Sequence, residues 1–138
     1  MTEPKMRHVK NCYGCGKTNP VGLKMTFAVH ADHIIGTLLT HTNHAGPPGV
    51  VHGGVIAAAV DESFSVFTRS GLGQDALTVR LEMVYRQPAA LGTTLAVDVR
   101  LKEETRKTLN VKAVVTVEEK VIAEAEGTLF KWQPDNPS

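Results

Sequence analysis

The fold is decided by residues 47–68, which read PPGVVHGGVIAAAVDESFSVFT. The two prolines remove backbone donors, so neither a strand nor a helix is expected to run through them. From residue 53 to residue 68 the apolar side chains recur at intervals of three and four. They form one stripe, made of Ile56, Val60, Phe64 and Phe67. The sequence therefore predicts one long helix that begins at two glycines and stops near Gly71.

Strand signals surround this helix. Apolar residues alternate with polar ones, as in half-buried strands, in six segments. These segments are residues 23–29, 34–40, 77–85, 95–101, 109–117 and 121–130. Consecutive strands with short links favour an antiparallel sheet, and a single long helix must bury its stripe on one face of it. We therefore expect an α+β fold in which a sheet wraps one central helix.

Composition limits the class of protein. The 138 residues suffice for one domain spanning 1–138, with loose ends at 1–10 and 133–138. A net charge of +1 gives no field that favours nucleic acid or an anionic membrane surface. The apolar runs are too short to span a bilayer, and the polar start lacks a secretory signal. Two cysteines provide no disulfide framework, so the default expectation is a cytoplasmic protein.

The start of the helix combines features suited to carbonyl chemistry. Gly53 and Gly54 leave backbone N–H groups uncovered by side chains, and the helix dipole favours negative charge beside them. Such an end can polarise a carbonyl and hold the oxyanion formed when it is attacked. Asp61 lies about 140° around the helix from Ile56, so its carboxylate faces water or another chain. Taken singly, these features are also compatible with an ordinary turn and a solvated carboxylate.

The sequence resembles a known family. His52-Gly53-Gly54, with Asp61 nine residues after the histidine, resembles the helix-entry motif of hotdog thioesterases of the phenylacetate-pathway type. The segment from Ala76 to Val79, with Tyr85 and Pro88 after it, is similar to the strand that follows the helix in that family. The sequences CYGCG at 12–16 and NPVGL at 19–23 resemble the opening of a bacterial subgroup. The resemblance covers residues 11–132.

The resemblance implies a hotdog fold and hydrolysis of acyl-CoA thioesters, with no metal and no cofactor apart from the coenzyme A of the substrate. It implies homodimers, or dimers of dimers, whose sites lie at the interface. Asp61 would act as general base or nucleophile, and the Gly54 N–H would polarise the carbonyl with Gly53 as its flexible neighbour. His52 would shape the loop or contact the thioester. Thr78 would help to place water or the aspartate.

Three further residues are candidates for substrate binding. His44 is a second polar group in the loop ahead of the motif. Arg86 could meet the phosphates of coenzyme A, because guanidinium binds phosphate bidentately, although for any single arginine of this chain a solvated strand-face charge is the favoured explanation. Ala57, with the neighbouring alanine, leaves room for an aryl or medium-length acyl chain.

Two choices remain at this point. Adjacent helix residues point about 100° apart, so Asp61 and Glu62 cannot both serve one site, and the spacing from His52 selects Asp61. Cys12 and Cys15 could be half of a zinc site or a redox pair. A second cysteine pair is lacking, so we expect a tight buried turn and no metal. Acyl-CoA hydration or dehydration and non-catalytic acyl-CoA binding are the alternative functions.

Overall fold

The computed structural model describes residues 9–132, which form one long helix and six strands. Helix α1 spans Gly53–Val66 and continues as a π-helical turn, Phe67–Gly71. The strands are β1 (Thr26–Val29), β2 (His33–Leu39), β3 (Ala76–Tyr85), β4 (Thr94–Glu104), β5 (Thr108–Val117) and β6 (Lys120–Lys131). The predicted order of two strands, one helix and four strands is confirmed.

All six strands belong to one antiparallel sheet, in the order β1-β2-β4-β5-β6-β3. Strands β4, β5 and β6 follow one another directly, so their pairing is local. The β5–β6 turn is tight enough to hold Glu118 and Glu119 at positive φ, 48° and 72°. Strand β3 pairs with β6 and therefore lies at an edge. With α1 packed on the sheet, this is the α+β hotdog architecture that the sequence predicts.

The apolar stripe of α1 lies at the centre of the core. Ile56, Val60 and Phe64 are almost completely buried, and so is Phe67 in the π-helical turn. They share one core cluster with inward side chains of the central strands, among them Leu95, Val97, Val99, Val111 and Val115. Gly127 of β6 permits the close approach of Phe64, because a Cβ there would lie 2.5 Å from Phe64 Cε2. The predicted stripe is confirmed.

The first strand is shorter than predicted. Residues 23–25 do not pair with β2, because their backbone bonds to an earlier part of the chain. The Leu23 N–H donates to the Tyr13 carbonyl at 2.7 Å, and the Met25 N–H donates to the Gly14 carbonyl at 2.9 Å. Residues 9–25, here called the N-terminal loop, are thus one connected unit that packs beside α1.

The edge strand β3 departs from the predicted alternation. Its register against β6 shifts between Thr78 and Arg80, so Val79 is an extra residue in a β-bulge. Leu77 and Val79 are 46% and 63% exposed. Burial of these two side chains was the wrong expectation, because the extra residue inverts the alternation before the bulge and Ala76 and Thr78 are the less exposed side chains there.

Two other expectations concern the chain ends and membrane spans. The predicted loose ends fall outside the described residues, except for Val9 and Lys10. The Lys10 carbonyl accepts hydrogen bonds from the Thr18 N–H and hydroxyl, at 3.0 and 2.8 Å.

Between residues 9 and 132, every helix is too short or too polar to cross a bilayer.

Candidate active site

The entry to α1 is held by backbone hydrogen bonds to two other segments. The His52 N–H donates to the His44 carbonyl at 2.8 Å, which joins the entry to a 3-10 turn at Thr42–His44. The Val51 N–H donates to the Ala89 carbonyl at 2.9 Å, which joins it to the segment after β3. The first glycines of the helix therefore have a fixed position relative to the sheet.

His52 is the N-cap of α1, and its exposed ring turns back onto the helix. Its Nδ1 accepts a hydrogen bond from the Gly54 N–H at 2.8 Å. This bond satisfies one of the N–H groups that a helix start leaves without a partner. The Gly53 N–H has no acceptor among residues 9–132. The helix start thus offers the Gly53 N–H directly, and the Gly54 N–H once the His52 ring moves aside.

Tyr85 contacts the helix entry from the end of β3, a role that sequence reasoning missed. Its hydroxyl donates to the Gly53 carbonyl at 2.7 Å. The ring lies against Gly53, since a Cβ on that glycine would be 3.4 Å from Tyr85 Cζ. Burial raises the pKa of Tyr85 above its ordinary value, so the hydroxyl keeps the proton that it donates. An aromatic residue at a strand end is the only sequence signal for this contact.

His44 lies just below the helix entry and is only 5% exposed. Its Nδ1 accepts a hydrogen bond from the His41 N–H at 3.1 Å, and the two rings lie 3.9 Å apart. Burial, with a smaller contribution from His41, lowers the pKa of His44 below its ordinary value. The ring is therefore neutral at pH 7, and it lies close to the backbone that positions His52.

Gly54, Ala57 and Asp61 occupy one face of α1, here called the open face. Seven residues of helix turn about 700°, so Gly54 and Asp61 point in nearly the same direction. Asp61 is half-buried, and its carboxylate makes no hydrogen bond or ion pair with residues 9–132. A partly accessible carboxylate with no partner in its own chain is available to a substrate, a water molecule or a partner chain.

Glu62 has different surroundings from Asp61. The Cys12 thiol donates to Glu62 Oε2 at 3.2 Å, and Cys15 Sγ lies 3.6 Å from Cys12 Sγ. Burial and the charge of Glu62 raise the pKa of the Cys15 thiol well above its ordinary value. The thiol is therefore protonated and a poor nucleophile at pH 7. In the described part of the chain, these three side chains are the one cluster with spacing suited to a metal.

Thr78 lies in the bulge of β3, and its hydroxyl is buried. Thr78 Oγ1 has no hydrogen-bond partner among the described residues. Buried hydroxyl groups are normally hydrogen-bonded, so this one is available to a water molecule, a ligand or a partner chain. This is the behaviour expected of a residue that binds a water molecule or a substrate group.

Arg86 lies on the opposite side of the sheet from the helix entry. It forms an ion pair with Glu124 at 2.8 Å, and both side chains are about half exposed. Since side chains alternate along a strand and Tyr85 faces α1, Arg86 points to the other face. The structure therefore does not bring Arg86 to His52 and Asp61 of the same chain, and its contact with phosphate stays a prediction.

A groove runs between the N-terminal loop and the segment that holds His44. Its volume is about 770 Å³, within the usual range for small-molecule sites. Apolar side chains line much of it, including Tyr13, Val21 and Leu39, and His41 and His44 supply polar groups at one end. The groove therefore offers apolar contacts together with polar groups and one positive charge, that of Lys24.

Solved structures of other proteins share this fold. A Streptococcus mutans protein whose structure holds acetyl-CoA is 26% identical, with a TM-score of 0.73 over 78% of this chain and 88% of the other. A hypothetical thioesterase from Streptococcus pneumoniae, solved with coenzyme A, is 20% identical, with a TM-score of 0.71 over 78% and 85%. The PaaI protein of the E. coli phenylacetic acid degradation operon is 15% identical, with a TM-score of 0.74 over 80% and 81%.

No curated protein matches the chain significantly. A family model does, and its description is "Thioesterase superfamily". It matches residues 48–124, which include the helix entry, all of α1 and strands β3 to β5. The chain belongs to the thioesterase superfamily and has its hotdog fold.

Proposed function

We propose that this protein hydrolyses acyl-CoA thioesters to the free acid and coenzyme A. The observation that carries the proposal is Asp61, a half-buried carboxylate on the open face with no partner among residues 9–132. A thioester carbonyl is already reactive, so a carboxylate and an oxyanion site are sufficient. No metal or organic cofactor is needed for this step. The acetyl-CoA and coenzyme A in two related structures support the choice of substrate class.

The distance along α1 implies that two chains build each site. Seven residues separate Gly54 from Asp61, which corresponds to about 10 Å along the axis. An oxyanion donor and a base must both lie within about 3 Å of the reacting group. The helix entry of one protomer would therefore act together with Asp61 of its partner. A two-fold dimer contains two such sites.

Strand β3 supplies a surface for this dimer. It is ten residues long, lies at an edge of the sheet, and carries exposed apolar side chains at Leu77, Val79 and Val84. An open apolar edge of this kind invites pairing with another strand. Because Tyr85 on the same strand contacts Gly53, a partner that pairs with β3 also comes close to the helix entry.

Each group of the proposed site has a role in thioester hydrolysis. Asp61 removes a proton from water as that water attacks the carbonyl, or attacks the carbonyl itself. The negative oxygen that forms is held by the Gly53 and Gly54 N–H groups, the latter released when His52 turns away. The carbon–sulfur bond then breaks, and the thiolate of coenzyme A takes the proton that Asp61 removed from the water. If Asp61 attacks the carbonyl instead, the thiolate leaves a mixed anhydride on Asp61, and water then hydrolyses this anhydride, which releases the free acid, restores the carboxylate and supplies the proton of the thiol. The Thr78 hydroxyl orients the water, while Ala57 and the groove beside His44 accommodate the substrate.

The decisive experiment measures thiol release from short, medium, long and aryl acyl-CoAs by wild type and Asp61→Ala. We expect wild type to turn over at least one of these thioesters, and Asp61→Ala to be at least ~10²-fold slower with an unchanged melting temperature. Turnover that is absent from wild type, or equal in both proteins, contradicts the proposal. Ligand binding without turnover would indicate a binding protein, and addition of water to an unsaturated acyl-CoA would indicate a hydratase.

Mixed dimers test whether the site is shared between chains. Gly54→Val fills the space in front of the Gly54 N–H, where a Cβ meets only the movable His52 ring. Co-expressed Asp61→Ala and Gly54→Val chains should regain about a quarter of wild-type turnover, because half the dimers then contain one intact site. If the co-expressed Asp61→Ala and Gly54→Val chains remain inactive, the helix entry and Asp61 of each site belong to the same chain.

A further inference from the structure

Cys12, Cys15 and Glu62 form a cluster of donor atoms outside the proposed catalytic groups. Their Sγ and carboxylate atoms all lie within 4.8 Å of one another, and all three residues are half-buried. The two cysteines belong to the N-terminal loop, whereas Glu62 is fifty residues away from Cys12, in α1. Side chains from distant segments converge here on one point, which sequence spacing alone does not reveal.

The distances within the cluster match those between ligands of a tetrahedral zinc ion. Zinc–sulfur bonds of about 2.3 Å and zinc–oxygen bonds of about 2.0 Å place two sulfurs about 3.8 Å apart, and sulfur and oxygen about 3.5 Å apart. The two sulfurs here are separated by 3.6 Å. Cys12 Sγ lies 3.2 and 3.7 Å from the two oxygens of Glu62. The pairs that involve Cys12 therefore already have nearly the required spacing, and the third pair, Cys15 and Glu62, lies within 4.8 Å.

The backbone of the loop is shaped to hold these ligands. The Gly16 N–H donates to the Cys12 carbonyl at 2.9 Å, which closes the turn that brings the two thiols together. Gly14 lies directly against the glutamate, since a Cβ there would be 2.3 Å from Glu62 Cγ. A Cβ on Gly16 would lie 2.4 Å from the Cys12 nitrogen. The loop is therefore preorganised around the Glu62 side chain.

We propose that Cys12, Cys15 and Glu62 bind one zinc ion, with water as the fourth ligand. Two sulfur ligands disfavour magnesium and calcium, which prefer oxygen, and a cubane or two-iron cluster requires more sulfur ligands than this site has. A disulfide between the cysteines would leave the position of Glu62 unexplained. The ion would fasten the N-terminal loop to α1 one residue away from Asp61.

Zinc titration of the full chain tests this site. Reduced protein, stripped with a chelator and desalted, is titrated with Zn²⁺ against a chromophoric competitor. We expect one ion per chain with a Kd below about 1 µM. Cobalt in place of zinc should give the near-ultraviolet charge-transfer band of a thiolate ligand. Bound zinc should also raise the melting temperature, as any ligand specific to the folded state does.

Variants identify the ligands. Cys12→Ser and Cys15→Ser should each weaken zinc binding about 100-fold or more, and Glu62→Gln about 10-fold or more while the cobalt–thiolate band remains. Glu62→Gln keeps both cysteines and so separates ligand loss from loop unfolding, which circular dichroism checks. Asp61→Asn, the neighbouring carboxylate on the same helix, is the matched control and should bind zinc as wild type does.

Three outcomes would overturn the proposal. The first is a folded, reduced wild-type chain that shows no saturable zinc binding. The second is unchanged affinity in Cys12→Ser. The third is equal weakening by Asp61→Asn and Glu62→Gln, which would indicate general attraction to acidic groups. None of these measurements depends on turnover, so the zinc site and the thioesterase activity can fail separately.

Discussion

Two sides of α1 face away from the sheet. They differ in whether their carboxylates find hydrogen-bond partners within the same chain. On the covered side, Glu62 receives a hydrogen bond from Cys12 and packs against Gly14 of the N-terminal loop. On the open face, Asp61 has no partner among residues 9–132, although it carries the same charge one residue earlier. We infer that the covered side stabilises the fold, while the open face is completed by a partner chain and a substrate.

The largest expected effect comes from the open edge next to this face. Val79→Asp places a charge on β3, where the side chain is 63% exposed, so the monomer should fold normally. If β3 pairs two chains, the variant should be monomeric and at least ~10²-fold less active, because each site loses half of its groups. Light scattering after gel filtration and thiol release measure the two effects.

Strand β1 provides the matched control at the opposite edge. Val29→Asp introduces the same charge at a side chain that is 51% exposed. It should leave both the dimer and turnover intact. If Val79→Asp stays dimeric and fully active, β3 is not in the interface. The same conclusion follows if both variants lose dimer formation and turnover equally. Either result would weaken the contrast between the two sides of α1.

A smaller effect is expected at Thr78, where activity and stability should change in opposite directions. Thr78→Val removes a buried hydroxyl that has no partner among the described residues. The free energy of unfolding should stay the same or rise by about 1 kcal/mol, since no hydrogen bond is lost. Turnover should fall about 10-fold if the hydroxyl orients water. Urea titration and thiol release on one protein sample provide both values.

Thr68 supplies the comparison for this prediction. Its hydroxyl is also in the interior, but it donates to the Ser65 carbonyl at 3.1 Å. Thr68→Val should therefore lower the free energy of unfolding by about 1 kcal/mol and leave turnover nearly unchanged. A Thr78→Val protein that behaves like Thr68→Val would show that the Thr78 hydroxyl is structural.

Substitutions on the covered side of α1 should change the stability of the protein but not its turnover. Gly14→Ala forces a methyl group against the half-buried Glu62 side chain, which must move aside, so we expect the free energy of unfolding to fall by about 1 kcal/mol. In a Glu62→Ala background the clash is relieved, and the same substitution should then cost much less. Thermal or urea melts of the four proteins in this cycle measure the coupling. Additive effects would show that the loop does not pack on Glu62 in solution.

The smallest effect concerns pH. The pKa of His44 is held below its ordinary value of 6.5, chiefly by burial and also by His41. Below pH 6.5 the unfolded chain therefore binds more protons than the folded chain, and stability falls as the pH is lowered through this range. Melting temperatures between pH 7.5 and 5.5 should decline less in His44→Gln than in wild type. Replacing the exposed His30 with glutamine should leave the decline unchanged.

Local periodicity predicted the number and order of the elements, and the burial of Ile56, Val60 and Phe64 follows directly from helical spacing, but it missed the true start of β1 and the bulge in β3. The pairing of β3 with β6 is not a local property, and neither the strand pattern nor the resemblance to hotdog proteins specified it. The contact between Cys12 and Glu62 spans fifty residues and has no periodic signal. The bond from Gly54 to His52 depends on a single side-chain rotation, so the motif could indicate the site but not its hydrogen bonds.

The pairing of β3 with β6 also affects how the chain assembles while it is being made. Strand β3 leaves the ribosome before β4 and β5, and its partner β6 is synthesised after both. During that interval β3 lacks its only partner strand in the sheet, while Leu77 and Val79 are exposed even in the finished fold. Delayed long-range pairing leaves a nascent chain open to aggregation. Residues 76–85 are therefore where we expect chaperones to hold the growing chain until residues 120–131 have emerged.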